Sequence, residues 1–551
     1  MPEGGCLTRI WRTARLVLLK KEGRPLDSPS AYRSVCLLDE VGKLFERIIA
    51  TCLETHMSER VPGWHDSQYG FRRGRSTVDV VRRVRSMAED LVSRGGVALA
   101  VPLDIANAFN AIPWDRIVEA LEHLEVPPYL DRAIRAYLSD GWIAYTGRNR
   151  EERKPVECGV PQGSVLGPIL WITAYDSVLR CSMPPGTGMV CYAADTLVLA
   201  EGRRWCETLN ITETAVACAV RAIQMLGLSV SPAKSEAMWF GRHRRGAPPP
   251  GLSVNINGEE VPVRCQMNYL GLIIDSQWTF RPHFEILVPR VTVAANALCG
   301  LLPNIGGAGV RVRRLYEGVV RSRILYRAPV WAEDLMASRR SLLLLRRLQI
   351  TIAIRIVRGY RTISYASVSV LAASPPYELQ APALRRVYEH LRSLGSGGLT
   401  PSAGRPSQDV RMEAKLETWE RWRSRLLEGD AVRPHRGVRA VLPNWEAWRD
   451  RGGVPLTYWM TQMLTGHGVF GQFLLRIRRE LTSICHHCKE EEDTGILSSV
   501  GRTPPYLATR HRREFGSRGR RRGDAEETPG VHRRSLLLRA SYAREGASGA
   551  G

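Results

Sequence analysis

The sequence predicts an α/β fold that gives way to a mostly helical second half and ends in a strongly basic C-terminal region. Three observations predict it. Residues 1–240 alternate helical and strand-like hydrophobic patterns. Residues 280–388 are mostly helical in pattern, with long Leu/Arg stretches such as Leu342–Leu348. The last 51 residues hold twelve Arg and no Lys, with frequent Gly and Pro and few apolar residues outside Leu536–Leu538.

Bulk properties set the outer bounds. A chain of 551 residues is too long for one ordinary domain and suggests two to four units, and 44% hydrophobic residues suffice for sizeable cores. A net charge of +23 makes a polyanion the expected partner, because each cation that neutralises a phosphate releases condensed counterions. The twelve cysteines are scattered and only Cys485 and Cys488 form a C-x-x-C, which argues against a disulfide framework and for a reducing, intracellular compartment. The start, Met1-Pro2-Glu3-Gly4-Gly5-Cys6, holds no apolar core of a signal peptide. No apolar run approaches the roughly 20 residues a membrane helix needs, so no membrane partner is expected.

The elements follow in order. A helix over 37–57 sets Leu44, Ile48, Cys52 and His56 on one face. Val97–Val101 is an apolar, β-prone run that ends at Asp104. Arg242–Gly251 (RHRRGAPPPG) is a turn-rich basic break, and short strand-like pieces follow to Asp275. Leu394–Pro406 (LGSGGLTPSAGRP) has the composition of a flexible linker. Beyond it, Leu416, Trp419, Arg423 and Leu426 stand at helical spacing. There is no internal repeat.

Three features carry chemistry. Leu103-Asp104-Ile105-Ala106-Asn107-Ala108-Phe109-Asn110 puts a carboxylate at the end of a buried strand, followed by a turn and an aromatic ring. Gly159-Val160-Pro161-Gln162-Gly163-Ser164-Val165-Leu166-Gly167-Pro168 has three glycines within nine residues, so its backbone can come close to a flat ligand or another chain, and Pro168 suits the first turn of a helix to Leu179. Met189–Leu199 reads as a tight hairpin with an acid, Asp195, at its tip. Taken singly, these are a strand-capping Asp, a Gly-rich loop and a turn acid. Their order is what matters.

An Asp strand, a P-Q-G loop and an acidic hairpin, in that order, resemble motifs A, B and C of the reverse transcriptase palm. Arg15–Lys21, Tyr32–Leu38 and Gly42–Arg47 look like the fingers, and Gln68-Tyr69-Gly70-Phe71-Arg72 is similar to the Q-x-G-F-R segment of non-LTR enzymes. Gly227-Leu228 with Lys234-Ser235-Glu236 resembles motif D, and Tyr269-Leu270-Gly271 resembles motif E, the primer grip. Leu301-Leu302-Pro303-Asn304, Ala328-Pro329-Val330-Trp331, Arg358-Gly359-Tyr360-Arg361-Thr362 and Leu464-Thr465-Gly466-His467-Gly468 look like the thumb and C-terminal region of type-1 (R-one clade) retrotransposable elements. The similarity runs over roughly residues 8–494.

The resemblance implies a right-hand polymerase. Fingers and palm would occupy 1–275, a helical thumb 276–393, a linker 394–409, a nucleic-acid-binding C-terminal domain with a partial zinc motif 410–494, and a disordered Arg-rich tail 495–551. It implies an RNA-directed DNA polymerase that copies element RNA from a DNA target-site primer, using deoxynucleoside triphosphates, in the nucleus. Two Mg²⁺ ions would activate the primer hydroxyl and clamp the triphosphate. Asp104, Asp195 and the carbonyl of Ile105 would hold them. Phe109 would be the steric gate, Gln162 and Gly163 would position the incoming nucleotide, Lys20 and Arg33 would contact the triphosphate, and Lys234 would protonate the leaving pyrophosphate.

The sequence departs from the family in three places. The family's Y-A-D-D is Tyr192-Ala193-Ala194-Asp195 here, so a methyl group stands where a metal ligand belongs. The expectation is a two-metal site impaired in a degenerate copy or by a sequence error. Cys485, Cys488 and Glu492-Asp493-Thr494 match the family's zinc region, but no later Cys follows, and a closed Zn²⁺ site needs four ligands. A frameshift after Thr494 is expected. The apurinic-type endonuclease that precedes the family's polymerase is not evident, so a fragment of a larger polyprotein is expected. The alternative is a non-catalytic RNA- or DNA-binding remnant. A group II intron maturase or telomerase-like protein is not suggested by the thumb text.

Overall fold

The computed structural model describes residues 13–484, apart from breaks at 22–24, 26–27, 29–30, 61–62, 148–149, 242–246, 301, 304, 306–308, 397–404, 451–455 and 469. Cys485, Cys488 and the Arg-rich tail lie outside the described residues. The chain forms two compact units, Met1–Glu285 with Pro329–Ser338, and Ile286–Ala328 with Arg339–Gly551.

The first unit opens with an antiparallel ribbon of β1 (Thr13–Lys20) and β2 (Tyr32–Leu37), in which Leu19 faces Arg33 and Lys20 faces Tyr32. Helix α1 (Glu40–Glu59) begins where the Asp39 carboxylate accepts from the Val41 and Gly42 amides at 2.9 and 3.2 Å. Its buried face is Glu46, Ile49, Ala50, Leu53 and Met57. This corrects the face expected from the sequence: Leu44 and Ile48 are 56% and 57% exposed. The reason is Glu46, which turns inward to accept from the amides of Val165 and Leu166 at 2.5 and 3.1 Å. A polar residue on the core side conceals the true period.

Helix α2 (Thr77–Ser93) starts with a reciprocal Ser76–Asp79 capping box and leads into β3 (Val97–Leu103). Every residue of β3 but Pro102 is buried, as for a strand covered on both faces. Next come α3 (Ala108–Ala111), α4 (Trp114–His123), α5 (Pro128–Leu138), β4 (Gly141–Thr146) and β5 (Glu151–Val156). Strands β4 and β5 extend the first ribbon into a sheet of order β2-β1-β4-β5. Helix α6 (Gly167–Leu179) is buried on nearly every side, so it is apolar throughout rather than amphipathic.

The remaining elements complete a second sheet. They are β6 (Thr187–Tyr192), β7 (Asp195–Gly202), α7 (Trp205–Met225), β8 (Ala237–Phe240), β9 (Ser253–Ile256) and β10 (Glu259–Arg264), giving the order β6-β7-β3-β8-β10-β9. The core lies against β3, with Leu99 and Val101 beside Ile117 and Leu121 of α4, Leu170 of α6 and Val216 of α7. A small hairpin of β11 (Gln266–Tyr269) and β12 (Leu272–Asp275) turns through Leu270 and Gly271, both at positive φ.

Helix α8 (Arg281–Cys299) begins in the first unit and ends in the second, and α10 (Ala328–Ala337) lies almost wholly in the first. The second unit is helical: α9 (Val310–Ile324), α11 (Arg339–Val357), α12 (Tyr365–Ala372), α13 (Tyr377–Ser396), α14 (Arg405–Val432), α15 (Arg436–Arg439), α16 (Trp445–Asp450), α17 (Tyr458–Thr465) and α18 (Gly471–Arg476). Both ends of the expected 394–409 linker are thus helical. The core here is built on Trp419, Trp422 and Trp445, whose rings meet edge to face at 5.2–5.6 Å between centroids. No described helix is long and apolar enough to cross a membrane.

Candidate active site

Asp104 follows the last residue of β3. Leu103 pairs with Thr196 of β7, and carrying that antiparallel register one step further sets Asp104 opposite Asp195. Residues directly opposite in such a pair project from the same face, with Cα atoms about 4.5–5.5 Å apart. The two acids expected to cooperate therefore stand at the ends of adjacent strands. Both are open to solvent: the Asp104 side chain is 39% exposed, and Asp195 is also exposed.

The segment after α7 is stitched to the same place. The Ser231 amide donates to the Asp104 carbonyl at 2.8 Å, and the Ala106 amide donates to the Ser229 carbonyl at 2.8 Å. The Asp104 amide donates to Ser235 Oγ at 3.3 Å. This delivers Lys234, whose Nζ donates to Asp104 Oδ2 at 3.2 Å. The pair is about half exposed, so it adds little stability. Its value is positional: a cation stands beside the carboxylate.

The hairpin tip between β6 and β7 is Ala193-Ala194, with Ala193 left-handed at φ 59°. Gln68, which is buried, holds it. Gln68 Oε1 accepts from the Ala193 amide at 3.0 Å and the Gly70 amide at 2.9 Å, and Nε2 donates to the Ala193 carbonyl at 3.4 Å. The Cys191 amide donates to the Ser67 carbonyl at 2.9 Å and the Tyr69 amide to the Cys191 carbonyl at 2.8 Å, so Gln68 forms a single parallel bridge to Cys191 of β6. Gly70 lies so close that a Cβ there would be 2.1 Å from the Ala193 nitrogen. Sequence reasoning assigned Gln68 and Gly70 to a family segment but gave them no role.

Phe109 lies on α3, just after Asn107 at φ 50°. Its ring packs at 4.8 Å from Trp171 and 5.9 Å from the exposed Phe71. Asn110 Nδ2 donates to Ser34 Oγ at 3.2 Å, joining β2 to this turn. The P-Q-G loop is held on both sides: the Val160 amide donates to the Phe109 carbonyl, and the Cys36 amide donates to the Gln162 carbonyl, each at 2.7 Å. Gly163 has φ 126°, and a Cβ there would be 2.3 Å from the Cys36 carbonyl oxygen, so this position requires glycine.

Lys20 and Arg33 stand on adjacent strands but not on one face. Lys20 shares a face with Tyr32, hence with Ser34 and Cys36, which meet the Asn110 turn and the P-Q-G loop. Arg33 faces the reverse side with Leu19. Asp176, a nearby acid in the sequence, is buried on α6, where it accepts from the His65 amide at 2.6 Å and pairs with Arg180. It is no substitute for the acid missing at 194. Among the described residues, no group of three His, Cys, Asp or Glu side chains could hold a metal ion.

Comparison with known proteins agrees with this geometry. Residues 19–274 match the family described as reverse transcriptase (RNA-dependent DNA polymerase). The chain is 27% identical over 514 residues to the Pol polyprotein of type-1 retrotransposable element R1 from Bradysia coprophila, covering 90% of this chain and 49% of that protein. It is 28% identical over 487 residues to the 115 kDa protein of element R1DM from Drosophila melanogaster, covering 84% and 45%. It therefore spans about half the length of these relatives. A telomerase from Candida tropicalis, solved with a fragment of telomeric RNA, covers 74% of this chain and 64% of its own at 12% identity and a TM-score of 0.38, too loose a likeness to carry weight. Residues 19–274 thus form a reverse transcriptase domain, and over most of its length the chain is similar to the Pol proteins of type-1, R1-like retrotransposable elements.

Proposed function

We propose that this chain is the RNA-directed DNA polymerase part of an R1-like Pol polyprotein, and that its metal site is impaired as the sequence stands. The observation that carries the reading is the β3–β7 register, which sets Asp104 opposite Asp195 with Lys234 on Asp104. The template would be element RNA, the primer a DNA end at the target site, the substrates deoxynucleoside triphosphates, and the place of action the nucleus. Phe109, five residues after Asp104, is the gate against a ribose 2′-hydroxyl, and Gln162 and Gly163 support the incoming nucleotide. Lys20 is the fingers cation for the triphosphate, and Arg33, which faces the reverse side of the ribbon with Leu19, is the weaker candidate for that role. Lys234 is the acid for the pyrophosphate.

The fit to metal is poor. The family uses divalent ions, and Mg²⁺ would draw on Asp104, Asp195 and the Ile105 carbonyl. Two carboxylates, one of them already beside an ammonium group, leave a pair of dications under-neutralised, and Ala194 contributes no oxygen. Zn²⁺ at Cys485 and Cys488 would lack ligands, since no Cys follows them. Ala194 also favours the second reading, a remnant that binds RNA or DNA without catalysis.

The test is primer extension on a primed RNA template with Mg²⁺, comparing the sequence as given with Ala194→Asp. The first should make no product. Ala194 is a half-buried turn residue next to Ala193, whose amide and carbonyl Gln68 already holds, so the backbone of the tip is fixed independently of the side chain at 194. Loss of a side chain that only orients a metal ligand typically costs about 10–100-fold, so restoring a direct ligand should recover more than that. Robust extension by the unaltered chain would refute the impairment. Inactivity of both, with RNA binding intact, would favour the remnant.

A further inference from the structure

The second unit brings together two segments that lie about a hundred residues apart in the sequence. Tyr360, in the turn after α11, meets His467 in the turn after α17 at 6.0 Å and stacks on Phe473 of α18 at 6.4 Å, with 14° between the planes. Tyr458 lies edge-on to Tyr360, and its hydroxyl donates to the Tyr360 hydroxyl at 2.7 Å. Trp459 continues the row, edge-on to Tyr458 at 5.0 Å. His467 is buried and anchors the group, but Tyr360 is 36% and Trp459 43% exposed.

Arginines rim these rings. Arg476 sits 5.0 Å from the Phe473 ring centre, Arg361 adjoins Tyr360, and Arg436 lies against the Gly466 turn. None of these three pairs with an acid among the described residues. Burial and the charge of Arg476 together depress the Arg436 guanidinium. A cluster that only held helices together would not need two neighbouring, uncompensated cations. Exposed rings beside unpaired arginines match the chemistry of single-stranded nucleic acid, in which bases stack on aromatic faces and phosphates meet cations.

We propose that Tyr360 and Trp459, with Arg361, Arg436 and Arg476, form a stacking site for single-stranded RNA in the second unit, distinct from the palm. Stacking requires unpaired bases, so a duplex does not fit. The choice of RNA over DNA rests on the proposed function; the stacking surface does not, and it needs no working metal site.

The test uses the full chain without catalysis. Fluorescence anisotropy would compare a labelled oligoadenylate with an abasic strand of equal length, the matching DNA strand, and a duplex. Charge contributes equally to the adenylate and abasic strands, so their difference reports stacking. The unaltered chain should favour the base-bearing RNA by about 10-fold or more. Trp459→Ala and Tyr360→Ala should each reduce that preference several-fold, while Tyr360→Phe, which keeps the ring, should retain it. Arg436→Ala and Arg476→Ala should each flatten the salt dependence by about 0.7 in log–log slope and leave the base preference in place. Trp459 is exposed, so its removal keeps the test valid even if Tyr360→Ala misfolds. No base preference, an unchanged preference in Trp459→Ala, or a loss confined to DNA or duplex would overturn the proposal.

Discussion

Both ends of the Gln68 amide hold a single turn, and that turn presents position 194. Replacing Gln68 with Ala leaves the Ala193 and Gly70 amides without their acceptor in a buried place, at a cost of about 1–3 kcal/mol for each such group. In an Ala194→Asp background, Gln68→Ala should therefore lower primer extension and raise the Mg²⁺ concentration needed for half-maximal rate. Gly70→Ala should be worse, because its methyl group collides with backbone. A Mg²⁺ titration checks both; an unchanged metal requirement in Gln68→Ala would show that the turn keeps its shape unaided. Asp104, the hairpin acid and the Q-x-G-F-R segment were each legible in the sequence. Their linkage was not, because a hydrogen bond spanning 125 residues leaves no trace in local periodicity.

At the level of elements, strand alternation separates residues that the sequence groups together. Lys20 and Arg33 look like a pair, yet the β1–β2 register turns Lys20 toward the palm loops and Arg33 away. With activity restored at 194, Lys20→Ala should raise the KM for deoxynucleotides more than Arg33→Ala does, and steady-state kinetics on a primed template would decide; the reverse order would mean that the ribbon rearranges when substrate binds. Helix α1 holds the P-Q-G loop through Glu46, whose burial raises its carboxyl pKa against the lowering effect of two backbone amides. A raised folded-state pKa means the folded chain binds the extra proton, so stability contributed by the protonated group is lost as pH climbs through that pKa. Glu46→Gln keeps an acceptor and removes the charge. Its unfolding midpoint relative to the unaltered chain should thus rise with pH upward from about 4.5, the range set by an ordinary glutamate. A pH-independent difference would mean that Glu46 is not desolvated. The same residue explains why the sequence located this helix but misjudged its inward face: amphipathic reading treats a glutamate as solvent-facing, and the two amides that draw it inward come from a loop 119 and 120 residues away.

For the whole molecule, charge is the dominant property, and it is unevenly distributed. From Gly501 onward there are twelve Arg against five acidic residues, seven of the chain's +23. The other +16 belongs to residues that include the palm, the helices of the second unit and the aromatic site around Tyr360. Composition made nucleic acid the expected partner from the outset, but composition carries no geometry. It cannot distinguish a tail that adds counterion release from surfaces that dock bases and phosphates. Truncation can. A chain ending at Thr494 should bind single-stranded RNA more weakly at low salt, and its log affinity should fall less steeply with log salt, by about 0.7 for each phosphate contact the tail supplied. Its preference for base-bearing over abasic RNA should stay the same, because that preference belongs to the rings. Anisotropy titrations of both chains across a salt series separate the two quantities. If truncation abolishes binding at every salt concentration, the affinity resides in the tail and the folded units hold no RNA of their own. If the slope is unchanged, the tail's arginines make no phosphate contacts, and the salt dependence comes from the folded units.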